Sequence, residues 1–465
     1  MSKSKILSPI AILMLTVLPA AAQSSPKSNS LPAARPDPQI AAALKEVSVK
    51  RIEQTIVKLV SFYTRQTLSS DMPASSGKGA SAAADWIKSQ FEQYSKDCGG
   101  CLEVKTDEFI QEAATRVPKP TKITNVYAVL RGTDTANASR IVLVSGHYDS
   151  RNSDTNDTTA QAPGANDDGS GTAVSMECAR VLSKHKFPAT IVFLTVAGEE
   201  QGLNGSAHFA RMAKEQGWNI EAVLNNDIVG GDKTPGDTLQ EPHVVRVFSE
   251  GIPASADEKQ TKQIRSLAAE NDSLSRQLAR YIASTSQEYL PSTSFHPLVV
   301  YRPDRFLRGG DQTSFNQQGY AAVRFTEFRE NYNHQHQNVR TENGIEYGDL
   351  PKFVNYDYVA NVARLNAAVL ASLAAAPAPP ANVRILTKEL QNDSTLVWDA
   401  SPGGLATAYE VVWRDTAAPA WEHAKGVGNV TKATLPMSKD NVIFAVRAVD
   451  AKGHRSLAVV PVPER

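Results

Sequence analysis

Three cysteines are all that the 465 residues contain. Cys98 and Cys101 flank two glycines. No second pair exists to complete a zinc knuckle, and no helical pattern begins at Cys98 as a thioredoxin-type motif requires. A small local disulfide is the reading these two residues support, and Cys178, on the apolar side of a helical pattern, reads as a buried thiol. Net charge is lacking as well. Lys plus Arg and Asp plus Glu number 49 each, which removes any global electrostatic argument for nucleic acid or an anionic membrane. Long apolar runs are confined to the first residues, and past residue 22 no stretch reads as a membrane span. Sustained heptads are missing too. Ile264, Leu267, Leu274, Leu278 and Ile282 keep helical spacing too briefly for a coiled coil.

What is present begins with an export signal. Lys3 and Lys5 precede a short apolar core over residues 10–18, and Ala20 to Ala22 form a small-residue cleavage site. Cleavage after Ala22 is expected, giving a secreted or periplasmic protein with a flexible, Ser-, Pro- and Ala-rich segment over 23–45. The remainder is too long for one ordinary core. Residues 46–376 alternate strand and helix patterns, which predicts an α/β fold with a mostly parallel central sheet flanked by helices. Residues 377–381 form a Pro-rich linker expected to act as an extended spacer. Residues 382–465 alternate in period two between Gly, Pro and Asp turns, as in a small all-β sandwich.

Within the α/β region, chemistry-bearing residues follow apolar runs. The run from Ile141 to Val144 leads to His147 and Asp149, Thr190–Val196 to Glu199 and Glu200, and Ala222–Asn226 to Asp227. A Gly-rich turn carrying Asp167 and Asp168 leads into a helical pattern over 172–182. Lys122–Arg131 reads as an edge strand preceding the central one. Residues 256–290 read as two inserted amphipathic helices covering the sheet, with a break and cap at 271–273. One acid after one strand is ordinarily a helix cap or a solvated charge. Several together, at the C-terminal ends of parallel strands, converge on the rim where open α/β sheets place their chemistry. An imidazole with carboxylates on short loops is a donor set suited to zinc.

The stretches His147–Asp149, Gly164–Gly171, Gly198–Glu200 and Asn226–Gly230 resemble those of the co-catalytic di-zinc aminopeptidases. That family includes bacterial leucyl aminopeptidases, glutamate carboxypeptidases and the transferrin-receptor ectodomain. The resemblance covers 46–376 and implies two zinc ions per chain. Asp167 would bridge them, with Glu200 and His334 completing one set and His147 and Asp227 the other. Glu199 would be the general base, Asp149 would orient His147, and the Asp167–Asp168 peptide would be cis. His334 fits better than the fallback His336, because the family's last His is followed four residues later by Asp, and Asn338 stands four after His334. Some relatives carry a Tyr before this His that steadies the oxyanion. Here Asn333 stands there, leaving Tyr332 as a substitute. Among Arg302, Arg305 and Arg308, one is expected to face the cleft and receive a substrate carboxylate. Arg308, Asp311 and Tyr332 are therefore the candidate substrate contacts.

The C-terminal region resembles a fibronectin type III module, with Trp398 as its core tryptophan and Val442 where the corner Tyr would stand. It carries no ligand candidates, so it is expected to be dispensable for chemistry and to contact protein or polysaccharide surfaces. The implied activity is that of an exported aminopeptidase acting on peptides. The alternatives are a carboxypeptidase of the same family acting on acidic C-termini, or a non-catalytic receptor-like relic. The intact Glu199 and ligand set argue against the relic. A glutaminyl cyclase, which works with one zinc, fits less well.

Overall fold

The computed structural model describes residues 36–464, so the signal peptide expected over 1–22 lies outside the described residues. Eight strands form one sheet: β1 (Leu102–Gln111), β2 (Thr121–Leu130), β3 (Arg140–His147), β4 (Thr190–Val196), β5 (Asn219–Asn226), β6 (Val244–Ser249), β7 (His296–Val300) and β8 (Ala322–Glu327). Their spatial order is β1-β2-β4-β3-β5-β8-β6-β7. The central block β4-β3-β5-β8 is parallel throughout, and antiparallel pairings attach β2 on one side and β6 on the other. β1, not β2, is the edge on its side; β2 is held on both flanks, by β1 and β4.

The helices among the described residues are α1 (Pro38–Lys45), α2 (Val49–Val60), α3 (Gly79–Asp97), α4 (Gly169–Leu182), α5 (Asn204–Glu215), α6 (Glu258–Ser266), α7 (Leu274–Tyr289), α8 (Gln312–Gln317) and α9 (Tyr356–Ala375). They cover both faces of the sheet. Alternate side chains of β3 therefore enter different layers: Val142 and Val144 pack with α4 and α9, Ile141 and Leu143 with Phe209 of α5 and Phe315 of α8. Strands buried on both sides lose the polar–apolar alternation, which is why β3 and β4 read as continuous apolar runs. α9 is buried along most of its length for the same reason. It is long and apolar enough to cross a membrane by length and composition, yet it lies inside the core.

Several boundaries differ from the sequence reading. The last part of the segment expected to be flexible over 23–45 instead forms α1, capped by Asp37 and anchored by buried Ile40, Ala43 and Leu44; residues 23–35 lie outside the described residues. In the 256–290 insertion, Ser273 caps α7, which is buried against the sheet, whereas α6 buries no residue. Residues 376–378 do not serve as a free spacer. Ala376 and Ala378 are buried, and the Arg140 guanidinium donates to the Ala376 carbonyl at 2.8 Å. Cys98 and Cys101 are disulfide-bonded, and Cys178 is a buried free thiol.

The C-terminal region is a small β module. A four-stranded sheet comprises β11 (Ala381–Leu386), β12 (Ser394–Asp399), β15 (Lys432–Leu435) and β17 (Val462–Glu464), and a three-stranded sheet comprises β13 (Ala408–Asp415), β14 (His423–Gly428) and β16 (Val442–Val449); β9 (Arg340–Glu342) and β10 (Ile345–Tyr347) form a separate hairpin before α9. Trp398 is 2% exposed in the module's core, beside Tyr409. The module is docked, not tethered. Arg414 of β13 reaches Asp272 at 2.8 Å, and Arg280 of α7 and the Tyr301 hydroxyl both donate to the Pro419 carbonyl, at 2.8 and 2.5 Å.

Candidate active site

The parallel block sets its C-terminal ends side by side, and the loops leaving them build one cleft. β3 ends at His147, β4 is followed by Glu199 and Glu200, β5 by Asp227, and the chain after β8 supplies His336. Asp167 enters from the turn before α4. Two sets of donors result, His147–Glu199–Asp227 and Asp167–Glu200–His336, with the ligand atoms of each set within 4.8 Å of one another. Asp167 faces both. Its Oδ1 is 3.2 Å from His147 Nε2, and its Oδ2 is 2.8 Å from His336 Nε2. His336 Nε2 lies 3.0 Å from Glu200 Oε1, and His147 Nε2 lies 3.7 Å from Asp227 Oδ1.

Close backbone packing makes this convergence possible. A Cβ on Gly146 would fall 2.4 Å from the Gly171 carbonyl carbon, and one on Gly171 would fall 2.2 Å from the Asn226 carbonyl oxygen. β3, α4 and β5 meet only because both positions lack side chains. Asp168 then fastens the three loops. It caps α4 at the Gly171 N–H (2.8 Å) and also accepts from the N–H groups of His147 (3.0 Å) and Ile228 (3.3 Å). The Asp167–Asp168 peptide is cis. Asp349 accepts the N–H groups of Asn166 and Asp167 at 2.9 and 2.7 Å and so aims the Asp167 carboxylate. The buried Arg65 guanidinium holds the preceding turn through the carbonyls of Tyr148, Pro163 and Gly164 at 2.6 to 2.7 Å. Asp149 sits behind His147, 3.3 Å from Nδ1, and also accepts from Thr67 Oγ1 at 2.9 Å.

The family spacing pointed to His334 for the last imidazole, and the structure places His336 there. His334 Nδ1 is held by Asp232 at 2.6 Å while its ring stacks on Phe353 at 3.7 Å. His336 has a left-handed φ of 55°, and that turn brings it to Asp167 and Glu200. Asn338 is used for loop closure, accepting from the Ser153 N–H and hydroxyl at 3.1 and 2.7 Å. Of the candidate substrate contacts, Arg308 and Tyr332 line the cleft. Asp311 does not: it is fully buried at the start of α8, and burial pushes its carboxyl up to about 7. Asp168, Asp349, Arg65, Asp232 and Arg324 were not singled out as site residues by sequence. Only Asp168 had a local signal, its place before a helical pattern; the others act through contacts distant in sequence.

The electrostatics fit a bound cation. Asp167, Glu200 and Asp227 are buried and Glu199 half-buried in one cleft, a concentration of like charge that needs compensation. In the protein alone the imidazoles supply it. Burial disfavours the charged ring of His147, but the carboxylates of Asp149, Asp167 and Asp227 beside it outweigh that and raise its pKa; for His336 the pull of Glu200 and Asp167 outweighs burial and carries it to about 10. Burial lifts Glu199 well above the usual carboxylate range. Burial also opposes ionisation of Asp227, but Arg324 at 2.9 Å prevails and holds its pKa down. His147 Nε2 and Glu200 Oε1 are buried without a hydrogen bond, so donor atoms of both sets remain available to a metal ion.

Residues 125–352 match the sequence profile of peptidase family M28. A probable zinc metalloprotease of Pyrenophora teres f. teres is 47% identical over 92% of this chain and 88% of its own length. The chain belongs to peptidase family M28. A second relative, a probable zinc metalloprotease of Pyricularia oryzae, is 46% identical over 95% of this chain and 88% of its own. The fold of this M28 chain is shared with the Legionella pneumophila LapA aminopeptidase, with a TM-score of 0.51 and 24% identity over 72% of this chain and 75% of that one. This is a zinc metallopeptidase, and the acid-and-imidazole cleft is its candidate metal centre.

Proposed function

We propose that this M28 peptidase is an exported aminopeptidase that removes N-terminal residues from peptides. In this reading Asp167 would serve two zinc ions, with Glu200 and His336 holding one and His147 and Asp227 the other. The observation that carries it is Asp167, which offers one oxygen to each of two donor sets. Zinc bound there supplies an acidified water and polarisation of the scissile carbonyl. Glu199 does the proton work. It stands beside the His147–Asp227 set, and burial keeps its carboxylate basic. It can therefore take a proton from the attacking water and return it to the leaving amine. Asp149 holds the His147 ring from behind. LapA, which shares the fold, is named as an aminopeptidase.

One preparation tests the reading. Two zinc ions per chain by elemental analysis, with turnover of an aminoacyl nitroanilide and none of its N-acetyl form, is the expected result. Full activity with a single ion removes the two-zinc assignment. Release of C-terminal residues from an N-acetyl peptide would establish the carboxypeptidase instead. Secreted protein beginning at Gln23 is the outcome expected for export.

A further inference from the structure

The cleft above the metal centre encloses about 610 Å³ and changes sign from floor to wall. Its floor carries Asp167, Glu199, Glu200 and Asp227, while Arg116, Arg305 and Arg308 also line it. These wall cations are incompletely neutralised. Glu330 is shared by Arg246 (2.9 Å), Arg305 (2.8 Å) and Arg308 (3.1 Å), three guanidinium groups on one carboxylate. Asp304 does not close the deficit, because it is divided between Arg305 and Arg324. Arg116, in the connection between β1 and β2, donates only to the Glu200 carbonyl at 3.1 Å, and no carboxylate of the described residues pairs with it within 4.0 Å. Arg308 keeps 34% of its side chain exposed despite its pairing. Arg151, by contrast, is occupied, with Glu200 at 2.8 Å and His336 at 2.6 Å.

Guanidinium groups remain charged at any ordinary pH and match carboxylates through two parallel hydrogen bonds. A merely structural role for this cluster would balance its charges, and here they do not balance. We infer that Arg116 and Arg308 receive a carboxylate of the substrate, beyond the bond being cut. The carboxylate is either the C-terminus of a short peptide or an Asp or Glu side chain. A cleft of this size suits a short peptide, and its arginine wall lies where a carboxylate beyond the cleaved bond can reach it. The inference rests on the aminopeptidase reading and names its substrate class.

The test uses the zinc-loaded full chain and three peptides with the same first residue: Leu-Ala-Ala, its C-terminal amide, and the amide of Leu-Asp-Ala. A carboxylate-bearing peptide is expected to exceed the neutral amide in kcat/KM by about 10- to 100-fold, the range of a charge-assisted hydrogen bond, mainly through KM. A gain for free Leu-Ala-Ala identifies the C-terminus as the source, and a gain for the Leu-Asp-Ala amide identifies the side chain. Arg116→Ala and Arg308→Ala should each move the ratio toward one, and Arg116→Lys, which keeps the charge, should restore part of it. Equal kcat/KM for all three peptides, or a preference that survives both alanine variants, overturns the inference. If no peptide is hydrolysed, the aminopeptidase reading falls separately. Calorimetric binding of the same peptides to Glu199→Gln then decides the carboxylate question without turnover, and equal affinities overturn it.

Discussion

Glu199 and Glu200 are sequence neighbours with different surroundings. Glu200 reaches His336 and Arg151, while Glu199 stands beside His147 and Asp227. Glu199→Gln keeps the size and removes the base, so it should retain zinc and lower turnover by about a hundred- to ten-thousand-fold. Kinetics and elemental analysis on the same sample check this, and loss of zinc from that variant would make Glu199 a ligand. The two imidazoles allow a second comparison. His336→Ala should weaken zinc binding, read by chelator competition, by more than the roughly 10- to 100-fold typical of losing an outer partner. His334→Ala should leave zinc affinity closer to wild type. Most of this site is legible in the sequence, because His147, Asp149, Asp167, Glu199, Glu200 and Asp227 each follow a strand or open a helix within a few residues. His336 is not legible, because its position depends on a left-handed turn and on Asp232 capturing His334 from another loop.

At the scale of elements, the join between β3, α4 and β5 is the structure on which the site depends. Gly171→Ala would press a methyl group against the Asn226 carbonyl at 2.2 Å, backbone that cannot rotate away. A loss of about 1–3 kcal/mol or more is expected, read as a lower denaturant midpoint with an unchanged slope. The parallel block is legible because strands buried on both faces leave unbroken apolar runs. β6 and β7 were not picked out by sequence: β7 is short and half-exposed, and β6 pairs antiparallel with β8 across a long insertion. The edge position assigned to β2 also failed. β1 reads as a polar strand because it carries the exposed side of the sheet, so nothing local announces which strand ends it.

For the whole molecule, the docked module changes the expectation that it is dispensable. The Pro419 carbonyl receives Arg280 and Tyr301, and the segment following Tyr301 carries Arg305 and Arg308 into the cleft. A chain ending at Ala376 should therefore lose activity toward peptides as well as stability, and wild-type rates from such a folded, zinc-loaded chain would contradict this. A second seam joins Asp37 to His454, at 3.0 Å, with Asp450 holding the other ring nitrogen at 2.8 Å. Burial opposes protonation of His454, but its bonds to Asp450 and Asp37 outweigh this and raise its pKa above 6.5. A raised folded-state pKa stabilises fully below the unfolded value, and the contribution is lost as pH rises through the folded value. Melting temperature should thus fall as pH climbs above about 6.5, by on the order of one or two degrees. His454→Gln should flatten that slope.

The Asp37–His454 contact spans 417 residues. At about 5–20 residues per second, a ribosome needs on the order of half a minute or more to deliver the second partner after the first. Through that interval α1 has its cap but lacks this anchor, and the seam between the two domains is unsealed. Among the described residues, the first helix is thus one of the last to be fastened, because its anchor is made 417 positions later.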